Sequence, residues 1–366
     1  MIIHSIYKAV IKPILFKFEP GAVHNHFLRV GSVLGRYGIT RAVIRKLFSY
    51  KHPALAQTVE GLSFDNPVGL SAGFDKDAYL LNILPSVGFG FSQVGTVTLH
   101  PYKGNPKPHA YRLPKSKALV VYYGLKNEGV KKIIPRIKQA RATSTKVSIS
   151  IGKTNHDSTK TTEGGIKDYM GGLEKVIQSG VGDFYTLNIS CPNTFGGEPF
   201  TTPDKLDKLL TQISVLKRTK PLFLKMPIHL PWEEFRPLLE IAVKHEVNGV
   251  IIANLGKDRS HSGILDPIPE HVKGSISGKP TWDASNELIS QTYQAYGKKL
   301  VIIGVGGIFS AEDAYEKIQR GATLVQLITG MIFEGPQLIG EINRGLVKLM
   351  KRDGFESISE AVGTKK

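Results

Sequence analysis

The chain has 366 residues, 41% of them hydrophobic, with a single cysteine and 48 Lys and Arg against 31 Asp and Glu, a formal charge of +17. One cysteine excludes an internal disulfide and with it a stapled secreted scaffold, so a reducing compartment fits; the length suits one large domain with a small appendage, or two ordinary domains. The basic balance favours anionic partners such as acidic lipid, phosphate groups or small anions. No nucleic-acid motif or aromatic-interleaved basic cluster accompanies it, so no nucleic-acid partner is expected and most of the charge reads as solvated surface.

Residues 1–50 read as short helices. Met1 to Phe18 mixes Ile, Leu, Phe and Tyr with Lys8, Lys12 and Lys17, and Pro13 interrupts it. It has no small-residue cleavage site, so it does not read as a secretory signal. No segment of the chain reaches the roughly 18 to 20 uninterrupted apolar residues of a spanning helix. A basic amphipathic segment suits the face of a membrane; a surface helix packed on the main domain suits the same residues equally well. Glu19-Pro20-Gly21 separates a second helix, with Phe27, Leu28, Val30, Val33 and Leu34 on its apolar face.

Beyond Lys51-His52-Pro53, short β-prone runs recur, most of them followed by a helical stretch. They are Val68-Gly69-Leu70, Ser92-Gln93-Val94, Val147-Ser148-Ile149, Tyr185-Thr186-Leu187, Leu222-Phe223-Leu224, Val250-Ile251-Ile252, Val301-Ile302-Ile303 and Leu324-Val325-Gln326. Leu206 to Leu216, Trp232 to Lys244, Ala284 to Tyr296 and Ala311 to Arg320 carry apolar residues at spacings of three and four, the helical period. Eight alternations predict an α/β fold, a parallel (β/α)₈ TIM barrel over residues 51–366 with a small N-terminal helical extension over 1–50. An open doubly wound sheet is the alternative.

In a barrel, chemistry gathers at the strand C-termini. There the chain places Ala72-Gly73, Gly95-Thr96, Asn188, Lys225, Asn254 and Gly306-Gly307. Asn188-Ile189-Ser190-Cys191-Pro192-Asn193 sets the only thiol between two carboxamides. The amides suit a flat, amide-rich ring, and the thiol can move a proton once ionised; the bland alternative is a small buried hydrophobe. Gly304-Val305-Gly306-Gly307-Ile308, running into Ser310-Ala311-Glu312-Asp313, predicts a phosphate cradle on paired glycines and a helix N-terminus, together with Thr329-Gly330. Lys225 ends an apolar strand, where an unpaired ammonium is costly; it suits negative charge on a reduced flavin ring, or a nearby carboxylate. Lys76 either reaches an anionic substrate or pairs with Asp75 or Asp77. Thr194 to Thr202, with Gly196-Gly197, has the character of a loop that closes over substrate. These are the parts of a flavin mononucleotide (FMN) site, and no metal site is expected.

At this point the chain resembles the dihydroorotate dehydrogenases. The likeness runs through Leu70 to Asp77, Gly95-Thr96-Val97-Thr98, Gly104-Asn105-Pro106-Lys107-Pro108, Asn188 to Thr194, Ile302 to Ile308 and Leu324 to Pro336. The helical extension, with Glu19-Pro20 and His24, is similar to that of the membrane-associated, quinone-reducing class 2, where it forms a hydrophobic entry toward the flavin. Arg112 matches an arginine near the quinone end of that passage. The resemblance implies FMN at the barrel mouth, oxidation of dihydroorotate to orotate in de novo pyrimidine (UMP) biosynthesis, and a peripheral seat on the cytoplasmic face of a membrane.

Carried over, Ala72, Gly73, Lys76, Thr96, Ser150, Asn188, Lys225, Gly278, Gly306, Gly307, Thr329 and Gly330 would hold the flavin. Lys76, Asn188, Asn193 and Asn254 would hold the pyrimidine, and Cys191 would be the base. The departures are specific. Cys191 stands where the quinone-linked class has Ser; a free thiol near pKa 8.5 is the better base at neutrality, and nearby lysines are expected to lower it further. Val121 replaces an orotate-binding Asn and Lys126 a second Asn. Ser150 stands for an Asn that touches the flavin, Ala253 for a Thr and Ile328 for a Tyr. A ring group left unpaired against Val121 costs roughly 1 to 3 kcal/mol, so Tyr122, Tyr123 and Lys126 point to a reshaped pocket. The alternatives are a divergent enzyme acting on another dihydropyrimidine or cyclic substrate, with or without a soluble acceptor, and a flavin-binding scaffold without turnover.

Overall fold

The computed structural model describes residues 2–140, 145–194 and 196–365. Its strands are β1 (Gln57–Val59), β2 (Leu62–Phe64), β3 (Val68–Leu70), β4 (Phe91–Val97), β5 (Ala110–Leu113), β6 (Ala118–Val121), β7 (Lys146–Ile151), β8 (Phe184–Asn188), β9 (Leu222–Lys225), β10 (Gly249–Ile252), β11 (Ser275–Gly278), β12 (Val301–Val305) and β13 (Leu324–Leu327). The eight expected runs are β3, β4, β7, β8, β9, β10, β12 and β13, and they close into a parallel barrel. Closure rests on β13 pairing β3, Val325 opposite Val68, which rules out the open sheet. Helices Pro203–Ser214, Trp232–Lys244, Trp282–Tyr296 and Ala311–Gln319 lie within a few residues of their expected spans. Leu206, Leu209, Leu210 and Ile213 show why: spaced by three, one and three, they form one buried stripe.

The barrel is filled in layers. Phe64, Phe91, Phe184 and Phe223 plug its lower end with Ile251, Ile303 and Leu324. Gly69 makes room for that plug, since a Cβ there would lie 2.3 Å from Phe91 Cζ. The β1–β2 hairpin adds Val59 and Phe64 to the plug, and turns at Glu60 and Gly61, both at positive φ, as a two-residue hairpin requires. Above the aromatics, Gln93 Nε2 donates to Thr186 Oγ1 at 2.8 Å and Ser148 Oγ at 3.2 Å. Gln93 Oε1 accepts from the Ala72 N–H, so this polar layer supports the barrel mouth.

Neither the β1–β2 hairpin nor a second small sheet is among the eight expected runs. β5 and β6 form a hairpin, and β11 pairs antiparallel with β6, making a three-stranded sheet from two excursions of the chain. A second difference concerns Pro13. The chain stays helical over residues 2–15 because Lys12 N–H reaches back to Tyr7 O in a wide turn, which absorbs the proline. This segment is fastened to the barrel: Tyr7 Oη donates to Ile332 O at 2.7 Å, and Lys8 Nζ lies 2.7 Å from the buried Glu334 carboxylate. Glu19 caps the next helix, Pro20–Arg36, accepting from Gly21 N and Ala22 N. Leu28 and Leu34 of that helix and Ile44 of the helix Gly38–Phe48 pack on the main core. Among the described residues no helix is long and apolar enough to cross a membrane.

Candidate active site

A cavity of about 440 Å³ occupies the C-terminal mouth of the barrel and extends between the barrel and the N-terminal helices. Asn188, at the end of β8, lies in register with Lys225 at the end of β9. Asn188 Nδ2 donates to Thr96 Oγ1 at 2.8 Å, and Thr96 Oγ1 sits 3.0 Å from Ser150 Oγ. Asn254 Nδ2 reaches Asn188 Oδ1 at 3.1 Å and Ser190 O at 2.9 Å, while Ser190 Oγ donates to Lys225 O at 2.7 Å. These bonds hold the amides as a fixed shelf. Asn193 Nδ2 donates to the backbone carbonyl of Val121 at 2.9 Å, leaving its second N–H for a ligand.

The cavity brings together every flavin and pyrimidine candidate except Ser150, which is fully buried behind Thr96. The shelf's chemistry suits a flavin. Lys225 is 5% exposed and, among the described residues, donates only to Ser71 Oγ, at 3.3 Å, with no carboxylate beside it. Burial brings its pKa down to about 8. Such a cation favours an electron-rich or anionic occupant. Lys76, Lys126, Lys225 and Arg112 all line the cavity, and among the described residues no Asp or Glu does.

The phosphate end differs from expectation in one respect. Gly306 and Gly307 have φ of +115° and +70°, and a Cβ on them would meet Thr281 Oγ1 and Trp282 Cβ, each at 2.8 Å. Only glycine fits this turn, so its backbone can approach a ligand closely. The N-terminus of the following helix, however, is filled by its own chain: Ser310 Oγ accepts from Asp313 N, and Asp313 Oδ2 accepts from Phe309 N at 2.8 Å. The candidate cradle is thereby reduced to the glycine turn with Gly278, Thr329 and Gly330, which line the same cavity, and Ser277 Oγ lies 3.0 Å from Thr329 Oγ1.

Lys76 pairs with neither neighbouring aspartate. Asp75 accepts from the Tyr79 and Leu80 backbone, and Asp77 from Glu128 N. The Lys76 ammonium instead lies 4.1 Å from the Tyr123 ring centroid and 3.4 Å from His24 Nε2. Burial lowers its pKa to about 8, and burial with the Lys76 charge holds His24 neutral, at about 2. Arg112 Nη1 donates to Phe18 O at 2.6 Å and its guanidinium lies 4.6 Å from the Phe16 ring centroid. His24 and Arg112 thus line the stretch of cavity walled by Val23, Phe27, Val30 and Leu34.

Cys191 is half-buried and lines the same cavity. The expectation that lysines depress its pKa is corrected here. Burial pushes the thiol up to about 11; the Asn193 backbone N–H, Lys225 and Lys153 oppose this without prevailing, and the Glu198 carboxylate adds to the rise. Glu198 belongs to the 194–202 loop and is pinned by Lys257 Nζ at 2.5 Å and His229 Nε2 at 3.4 Å. Phe195, within that loop, lies outside the described residues. Ser71, Lys153 and Glu198 were assigned no role from sequence. Lys153 sits two residues past β7, so its place just beyond an apolar strand is the signal that marks it. Among the described residues, no group of three or more His, Cys, Asp or Glu is arranged to hold a metal ion.

Residues 54–350 match the family model of dihydroorotate dehydrogenase. The chain is 35% identical to dihydroorotate dehydrogenase (quinone) of Acaryochloris marina, over 99% of this chain and all of that one. It is 36% identical to the protein of the same name from Nostoc punctiforme, over 98% of each. Among solved structures, ligand-free DHODH of Eimeria tenella superposes with a TM-score of 0.80 at 27% identity, over 92% of this chain and 98% of that one.

Proposed function

The chain belongs to the dihydroorotate dehydrogenase family, and from that premise we propose that it oxidises dihydroorotate to orotate on bound FMN and passes the electrons to a quinone taken from a membrane face. The activity is that of an oxidoreductase acting on a CH–CH donor with a flavin and a quinone acceptor. One observation carries the reading: a single cavity free of carboxylates joins the thiol, the amide shelf, the unpaired Lys225 and the glycine turn to an apolar passage reaching His24 and Arg112.

Bound FMN would accept a hydride from the dihydropyrimidine ring. The protein supplies the remainder. Cys191, as thiolate, takes the proton from the neighbouring ring carbon. Asn188, Asn193 and Asn254 hold the ring amides, and Lys76 meets the negative charge of the substrate. Lys225 offers positive charge where the flavin ring gains electrons. Ala72, Gly73 and Thr96 frame the flavin, and Ser150 acts by holding Thr96. Gly278, Gly306, Gly307, Thr329 and Gly330 receive the phosphate. Yellow protein that bleaches with dihydroorotate without oxygen, and regains colour with a short-chain quinone, is the expected result. A yellow sample left unbleached would overturn it.

Residues 1–50 serve as the quinone-entry and membrane-association segment, and 51–366 as the flavin barrel. Among the described residues, all exposed large hydrophobic side chains except Tyr79, Val215 and Leu265 lie between Ile6 and Leu47. Arg29, Arg36, Arg41, Arg45 and Lys46 share that segment. An apolar patch edged by cations suits a peripheral seat on anionic lipid, and the single free cysteine suits the cytoplasmic side.

Val121 presents a methyl surface where an amide would contact the ring. Val121→Asn is expected to tighten orotate binding by about tenfold to a hundredfold, the worth of one restored buried hydrogen bond. Titration of flavin absorbance with orotate measures this; unchanged affinity would mean that Asn193 and Lys126 already serve that part of the ring.

A further inference from the structure

Lys317, on the Ala311–Gln319 helix, is fully buried, and the chemistry above leaves it no part. Its ammonium donates to Ser285 Oγ at 2.9 Å and Asn286 Oδ1 at 2.8 Å, and lies 4.8 Å from the Trp282 ring centroid. It forms no ion pair among the described residues. The nearby carboxylates are engaged elsewhere: Asp313 with Lys279 at 2.9 Å, and Glu316 with Arg320 and Lys365. A buried ammonium satisfied only by neutral oxygens is costly. Its surroundings lead to one place. Ser285 Oγ donates to Val305 O, immediately before the glycine turn, and Trp282 is the residue that a Cβ at Gly307 would strike. Lys317 therefore stands one layer behind the Gly306–Gly307 backbone.

We propose that Lys317 is the buried counter-charge of the flavin phosphate, a positioning residue that takes a proton from solvent as the phosphate settles on the Gly306–Gly307 turn. The proposal rests on the phosphorylated-flavin reading given above. The charged groups acting on Lys317 are Asp313, Glu316 and Arg320 of its own helix and Lys279 from the turn before Trp282; the Trp282–Tyr296 and Leu338–Arg352 helices set none against it. Burial brings its pKa down to about 7, with Asp313 and Glu316 raising it and Lys279 and Arg320 lowering it. Above that pH the side chain is mostly neutral before binding, and a nearby dianion raises its proton affinity. Well below it the ammonium is already charged and no proton enters.

The test uses full-length protein stripped of flavin and titrated with FMN, riboflavin or inorganic phosphate. It is run at about pH 8, where a phosphate monoester is already a dianion. Calorimetry in buffers of different ionisation heat is expected to show net proton uptake with FMN and none with riboflavin. Lys317→Met should lose that uptake and weaken FMN by about tenfold, the linkage worth at pH 8 of a phosphate that lifts Lys317 from about 7 to about 9, while riboflavin binds as before. Inorganic phosphate should compete with FMN in the unaltered protein and less well in the variant. FMN binding without proton uptake in the unaltered protein, or equal weakening of FMN and riboflavin in the variant, would overturn the proposal. Failure of the unaltered protein to bind FMN would overturn the phosphorylated-flavin reading itself.

Discussion

Cys191→Ala should retain its flavin while reduction by dihydroorotate slows at least about a hundredfold, the low end of what a positioned base contributes. The thiol lines the cavity with the three asparagines, whereas the flavin candidates hold their own bonds: Asn188 to Thr96, Lys225 to Ser71, Thr329 to Ser277. Binding should therefore survive the loss of the sulfur. The pH dependence carries a sign. With burial raising the thiol to about 11, the thiolate fraction grows about tenfold per unit as pH climbs toward that value. Rapid-mixing measurements of flavin reduction should therefore rise through the neutral range. In the alanine variant that limb should vanish. An unchanged rate in the variant would show that the proton leaves by another route.

Removal of residues 1–50 should leave dihydroorotate able to reduce the flavin but lower quinone turnover by a further factor of about ten or more, by loss of local quinone concentration at the lipid face. The deleted helices wall the apolar end of the cavity with Val23, Phe27, Val30 and Leu34, and their absence also uncovers Leu80 and Ile83. A gentler variant separates the two effects. Val33 and Val43 are 48% and 53% exposed, so Val33→Glu with Val43→Glu should fold normally. That pair should abolish sedimentation with anionic vesicles and slow turnover of a long-chain quinone, leaving a water-soluble acceptor unaffected. Equal losses with both acceptors would make the extension a structural brace alone.

The barrel was legible because its strands are buried on both faces. Val68-Gly69-Leu70 and Leu222-Phe223-Leu224 read as continuous apolar runs, the mark of a parallel sheet covered by helices. β5, β6 and β11 were not, for a physical reason. They are no shorter than the barrel strands β9, β10 and β13, but Ser275 finds its partner Val121 across a long stretch of intervening chain, so no local period announces the pairing. The amide shelf and glycine turn were readable as residues, since few other roles suit them at strand ends. Their electrostatics were not. Lysines near Cys191 promised an acidic thiol, but how much water the fold removes from the sulfur is a tertiary property. Ser310 and Asp313 show the same limit: the pattern that announces a helix N-terminus also supplies the groups that occupy it.

The small antiparallel sheet has a consequence for mutational work. Arg112 on β5 anchors the first helical segment through Phe18, while Val121 on β6 carries the carbonyl that orients Asn193, and one ladder joins the two strands. Substitutions at the two positions share a backbone, so their energies will not sum as independent contributions. A scan that scores single replacements would credit to the pyrimidine what belongs to the tail, or the reverse. Only paired replacements, closed into a thermodynamic cycle, separate them.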